Sequence, residues 1–193
     1  MPSFDLRHIM AAKYTESSSG ITYDTPVSVG DAMSANLELK FAEGRLYAES
    51  ALAEYMKKAT GGTISLATKY IPDAAQKLLY QAAEKERTLS GSKKVTGLLF
   101  SKKSSGQYVG VSFYAPDMID GVEKYTCVFV GKALFGPPSY SYQTLGDSLS
   151  FSTPTTTGEF LADKNGNLIE TAVCDSEDDA KSWCGQVFNT SGL

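Results

Sequence analysis

Apolar and polar residues alternate with a period of two over much of this chain. Met33, Ala35, Leu37 and Leu39 alternate with Ser34, Asn36, Glu38 and Lys40, and Ile64, Leu66 and Thr68 with Thr63, Ser65 and Lys69. That period puts one face of a strand on a core and the other in water. Val95 to Phe100, Tyr108 to Tyr114 and Tyr125 to Phe135 are rich in β-branched and aromatic residues, and they too read as strands. Leu149 to Ser152, Gly158 to Ala162 and Leu168 to Val173 are further candidates. Asn165-Gly166 between the last two is a strong short hairpin signal. Ser17 to Gly20 and Thr153 to Thr157 read as loops.

The period changes to 3.6 in two places. From Ile71 to about Arg87, the residues Ile71, Ala75, Leu78, Leu79 and Ala82 make one apolar stripe. Pro72 fits the first helical position, Asp73 suits the first turn, and Lys85 and Arg87 suit the last. A second helix is expected over about 176–188. Ser176 and Asp179 form a capping box there, and Ala180, Trp183, Cys184, Val187 and Phe188 form the stripe. The expected fold is mainly β: an antiparallel β-sandwich or barrel with a flanking α-helix and a C-terminal α-helix, as one domain over 1–193.

One segment fits neither period well. Residues 41–60, between the strands at 32–40 and 63–70, are too long for an ordinary hairpin loop. Leu46, Tyr47, Leu52 and Tyr55 are diluted there by Ala, Glu and Lys. Ala51 to Lys58 has the composition of a short helix. An extension of this kind buries little of itself and calls for another surface to pack on.

Composition narrows the function classes. The chain has 193 residues, 42% hydrophobic, which is enough for a sizeable core. A net charge of -4 does not attract nucleic acid or anionic membrane as a whole. No run of about 18 apolar residues is present to span a bilayer, and the first residues do not read as a secretory signal. Three cysteines with no CxxC read as buried thiols, not a disulfide framework.

Catalytic signals are sparse. His8 is the only histidine, no GxSxG elbow occurs, and no Cys/His set has zinc spacing. Asp163, Asn165 and Asn167 mimic a calcium loop, but Leu168 stands where glycine is required and Cys174 where glutamate is, so a plain turn is expected. Gly61-Gly62 lacks phosphate-loop spacing. Lys93-Lys94 and Lys102-Lys103 read as solvated turns. The tyrosines at 108, 114, 125, 140 and 142 read as cross-strand packing. Asn189-Thr190-Ser191 matches a glycosylation acceptor but carries little weight alone. The expectation is a non-enzyme with no cofactor and no metal.

The order of the elements is distinctive. A strand leads into a long Glu-, Tyr- and Ala-rich hairpin and a returning strand, and Ile71-Pro72-Asp73 then opens a helix. Further on come Leu149-Ser-Phe-Ser-Thr-Pro154, Gly158-Glu-Phe160, Asn165-Gly-Asn-Leu168 and the acid-capped helix with Trp183. This order resembles the major tail proteins of siphophages, the tail tube group, over most of the chain. The resemblance implies the tail tube β-sandwich, hexameric rings, and stacking of the rings into a conduit through which DNA passes without sequence-specific contacts. It implies self-association through the hairpin, with Phe41, Glu43, Arg45, Tyr47, Glu49, Leu52, Glu54 and Tyr55 as the assembly residues. Glu38, Glu43, Glu49 and Glu54 become candidates for the lumen. The implied partners are other copies of the chain and the tail terminator and tip proteins, with no membrane anchor. The implied location is the virion tail tube, with assembly in the host cytoplasm. The hairpin departs from the family in having few Asp, Asn and Gly. Two other readings stay open: the tube subunit of a contractile or secretion-type injection system, and a carbohydrate-binding β-sandwich.

Overall fold

A computed structural model describes residues 5–18, 20–48, 51–102, 104, 106–142, 144 and 153–189; the side chains of 48 and 51–53 are not described. The protein is mainly β; among the described residues the strand pairing is antiparallel and there are two helices. Its elements are β1 (Arg7–Ser17), β2 (Gly20–Tyr23), β3 (Val27–Gly30), β4 (Ala32–Ala48), β5 (Ala51–Thr68), α1 (Asp73–Tyr80), β6 (Ala83–Thr88), β7 (Lys94–Leu99), β8 (Tyr108–Ile119), β9 (Val122–Phe135), β10 (Thr155–Leu161), β11 (Ile169–Cys174) and α2 (Glu177–Gln186). The main sheet runs β2-β1-β8-β9-β10-β5-β4, with β3 also on β1 and β11 also on β9. Among the described residues, strands β6 and β7 pair only with each other.

The sheet curls until its ends are joined by a single residue. β3 lies at one end on β1 and β4 at the other on β5, and only Asp31 separates them in the chain. Gly30 makes this corner possible. Its φ is +124°, and a Cβ there would overlap the Tyr70 carbonyl oxygen. The core therefore draws on both halves: Ile9, Ala11 and Val29 from one side, Ile64, Leu66 and Phe160 from the other, and Val109, Val111, Val130 and Phe135 between them.

Helix α1 closes this core with Ala75, Leu79 and Tyr80, all fully buried. Burial of the Leu79 side chain alone stabilises by about 1.5–3 kcal/mol. The helix is much shorter than its apolar stripe predicts. Gln81 turns left-handed at φ 53° and donates its N–H to the Lys77 carbonyl, which ends the helix after Tyr80. Lys85 and Arg87 therefore sit on strand β6, not in a last helical turn. Once Tyr80 has filled the core, nothing holds a further helical turn against the body.

Helix α2 follows its prediction closely. The Ser176 side chain accepts from the Asp179 N–H at 3.1 Å, and the Ser176 hydroxyl meets the Asp179 carboxylate at 2.6 Å. Ala180 and Cys184 pack on Tyr114 and Cys127, Phe188 packs on Ala12 and Phe129, and Trp183 touches both groups. This helix covers the outer face of β1, β8 and β9.

Asn165-Gly166 forms a tight turn, as its chemistry predicts, but no hairpin. β10 and β11 do not pair with each other; both lie along the same edge of β9, one after the other. The Asp163–Asn167 turn is an excursion where the chain leaves β9 and rejoins it. Thr155 to Thr157 belong to β10 and not to a loop. The candidate strand at 149–152 lies outside the described residues.

Candidate functional site

Strands β4 and β5 lead two lives. From Ala32 to Lys40, and from Gly61 to Thr68, they belong to the curled sheet, with β10 alongside β5. Beyond the register shift at Lys40/Phe41, where Thr60 is the extra residue, they pair only with each other out to Ala48↔Ala51. At about 3.3 Å per residue, residues 41–48 reach roughly 25 Å from the body. The helical propensity of Ala51 to Lys58 is overridden, and this stretch is strand. Side-by-side pairing with a strand that already has a template outweighs a few tenths of a kcal/mol per residue of preference.

Register decides which candidate residues meet. Directly paired residues share a face, so Phe41, Glu43, Arg45, Tyr55 and Lys57 fall together. Lys57 sits over the Phe41 ring at 4.3 Å and reaches Glu43 at 3.3 Å. Arg45 lies over Tyr55 at 5.6 Å and 3.9 Å from Glu43. Local desolvation and its hydrogen bond to Glu43 push the Tyr55 hydroxyl above its ordinary pKa. Tyr47 pairs with Leu52 through the backbone. Glu54 faces the other way, opposite Leu46. Glu49 lies outside the described residues.

The opposite ribbon face holds Ala42, Gly44, Leu46, Glu54, Met56 and Lys58. Met56 is 72% exposed, Tyr47 60% and Leu46 58%. Lys57, Met56 and Gly44 were missed by sequence reasoning. Only the cross-strand register, with Glu43 opposite Lys57, identifies them, and it is not visible before pairing is known.

A second surface adjoins the ribbon base. Its residues are Asn36, Glu38 and Lys40 on β4, Thr63 and Ser65 on β5, and Thr157 and Glu159 on β10. Ser65 and Thr157 share a hydrogen bond at 3.2 Å, and Lys40 meets Glu159 at 2.6 Å, which holds that carboxyl below its ordinary range. Neither helix packs over this face. Glu38 is exposed on it, whereas Glu43 and Glu54 lie on the ribbon.

No set of three metal-ligating side chains occurs among the described residues. His8 lies 6.1 Å from the Tyr114 ring, and burial followed by Lys181 lowers its pKa. Cys127 lies 3.7 Å from Cys174; burial raises the Cys127 thiol strongly and the Cys184 thiol to about 11, which makes both poor nucleophiles at neutral pH. A recess of about 380 Å³ lies between Gly20–Tyr23 and the Asp163–Asn167 turn. Of its two lining carboxylates, Asp163 and Glu170, the first is committed to the turn: Asp163 Oδ1 accepts from the N–H groups of Asn165 and Asn167. That is an Asx-type turn and not a calcium loop.

No protein-family model matches the chain, and no match to a curated protein was found.

Proposed function

We propose that the protein is a self-assembling structural subunit of a tube, of the phage tail tube type, in which copies form stacked, hexameric rings around a conduit for DNA. The observation that carries this reading is the β4–β5 ribbon. Its strands continue about 25 Å past the last residues that pack on a core, with large apolar side chains exposed and both outer edges unpaired by the described residues. An isolated two-stranded ribbon is marginal in water, and unpaired edges are templates for other strands. A neighbouring copy supplies both missing contacts.

The bare face of β4, β5 and β10 suits the wall of such a conduit. It carries the hydroxyl side chains of Thr63, Ser65 and Thr157, and it sets Glu38 and Glu159 against Lys40, so passing phosphates find little to hold them. On this reading the partners are other copies, the terminator and tip proteins at the tube's ends, and DNA in transit. The location is the virion tail, after assembly in the host cytoplasm. No helix among the described residues is long and apolar enough to cross a membrane.

A second reading has one observation in its favour. Tyr140 and Tyr142 are stacked 6.1 Å apart at 20°, and Tyr142 is 87% exposed. Stacked exposed rings suit a sugar face. The deciding experiment is negative-stain electron microscopy of the full chain at rising concentration. Rings or hollow tubes of uniform width are expected. A uniform field of monomers, together with glycan binding lost in Tyr142→Ala, would turn the assignment to carbohydrate recognition.

A further inference from the structure

A second ribbon, β6–β7, leaves the body beside α1. It is anchored by the Tyr80–Phe100 ring contact at 6.1 Å and by the Lys77–Glu84 ion pair. Every strand residue except Leu98 is exposed. Its two faces differ in charge. One carries Lys85 and Arg87 with Val95 and Leu99, and Leu89 and Lys93 meet at the turn. The other carries Glu84 and Glu86, each already held by a lysine, Lys77 and Lys94. Among the described residues, Lys85, Arg87 and Lys93 have no carboxylate within 4 Å. Leu89, Val95 and Leu99 are 51%, 43% and 43% exposed. A chain of net charge -4 thus holds out an arm with one cationic, apolar face.

The opposite end of the molecule has the complementary character. β8 starts beside α1, where Gln107 donates to the Leu78 carbonyl at 2.8 Å, and ends at the turn into β9. Twelve strand residues separate these ends by roughly 36 Å. The far end exposes Met118, Val122 and Val173 among Asp120, Glu123, Asp178 and Asp179. Met118 and Glu123 are direct cross-strand partners. The nearby cations Arg7, Lys124 and Lys181 are taken by Glu177 and Asp175.

We infer that the cationic, apolar face of the β6–β7 ribbon docks on the acidic, apolar β8–β9 tip of a second copy of this chain. The inference rests on the self-assembly reading and names the surfaces that join copies end to end. Because the two surfaces differ and lie at opposite ends, the contact is head-to-tail and repeats along a stack instead of closing a dimer. Apolar residues interleaved with the cations favour a protein partner with an apolar centre over a phosphate backbone. The long ribbon adds a consistent direction. Residues 60 back to 51 continue β5 away from its α1 end, toward the same end as the β8–β9 turn.

The test is a charge swap on the full chain, read by sedimentation velocity across salt concentrations and by electron microscopy. Lys85→Glu with Arg87→Glu, or Glu123→Lys with Asp178→Lys, is expected to weaken self-association about ten-fold or more. All four substitutions in one chain are expected to restore it. Rescue separates docking from damage to the fold. Unchanged association in both pairs, with rings or tubes still forming, overturns this inference and leaves the self-assembly reading standing. A wild-type chain that stays monomeric at every concentration overturns both. Retention of a DNA duplex or of anionic vesicles, lost in Lys85→Glu with Arg87→Glu while association is unchanged, assigns the arm to those partners instead.

Discussion

Strands β4 and β5 contain a comparison within themselves. In their body half, Ile64 and Leu66 are fully buried, and β10 pairs along the outer edge of β5. In their ribbon half the same two strands stay paired, through register shifts at Lys40/Phe41 and Leu46/Tyr47, without a core, a third strand or a covering helix among the described residues. What remains is cross-strand contact: Lys57 on Phe41, Arg45 on Tyr55, and Glu43 between the two cations. Such pairs give roughly 0.2–1 kcal/mol each. The body half is shaped by burial within one chain. The ribbon half has the same backbone but lacks the burial that normally justifies it.

The sharpest way to break the comparison is to remove one half. Replacing residues 44–56 with Asn-Gly leaves Glu43 and Lys57 paired across a two-residue turn. The expected product folds with an unchanged unfolding midpoint and forms no rings or tubes by electron microscopy. A shortened chain that still assembles would remove the ribbon from the mechanism. Within the body half, Leu66→Ala is expected to cost about 2–5 kcal/mol in urea unfolding, because it leaves a cavity in the closed core.

Two glycines carry the contrast to smaller effects. Gly62, in the body, has the Phe160 ring and the Glu38 carbonyl where a Cβ would go. Gly62→Ala is expected to destabilise by about 1–3 kcal/mol. Gly44, on the ribbon, has open space there. Gly44→Ala in the free subunit is expected to be neutral or to stabilise by about 0.5 kcal/mol. If Gly44→Ala also weakens assembly, another backbone lies against that position in the assembled state.

The body, like the ribbon, is also fastened by charge, and there one carboxylate is strongly shifted. A hydrogen bond from Tyr114, then those from Lys181 and Arg7, hold Glu177 down to about pKa 2 from 4.5. A depressed carboxylate stabilises the fold above its unfolded pKa and loses that contribution as pH falls through its folded one. Glu177→Gln is therefore expected to flatten the pH dependence of unfolding between about 4.5 and 2. An unaltered slope would place the acid sensitivity elsewhere.

Much of the body was legible in the sequence because its signals are local. The alternation at 33–40 and 63–68, the Ser176 cap and the stripe through Ala180 and Cys184 each need only neighbouring residues to act. The failures came where distant partners decide. Ala83 to Arg87 has helix-forming composition, yet Gln81 breaks the helix and β7 takes the segment as a strand partner. Asn165-Gly166 foretold a turn, but β9 determines which strands pair on either side of it. For the ribbon, length and composition marked residues 41–60 as unusual. The grouping of Phe41, Glu43, Arg45 and Tyr55 with Lys57, and the separation of Glu54 from them, came from register alone.

The pairing of β5 with β10 has a consequence for how the chain is made. Ser65 and its partner Thr157 are 92 residues apart. At about 5–20 residues per second, a ribosome delivers β10 roughly 5–20 s after β5. The β4–β5 hairpin is local and closes in microseconds. For those seconds the nascent chain presents Ile64 and Leu66 as well as the ribbon's own apolar side chains, with nothing to seal them. On a polysome, many such hairpins wait side by side, each a template for the next. The interval in which the chain is most exposed to wrong pairing therefore comes during synthesis, before β10 is there to cover β5.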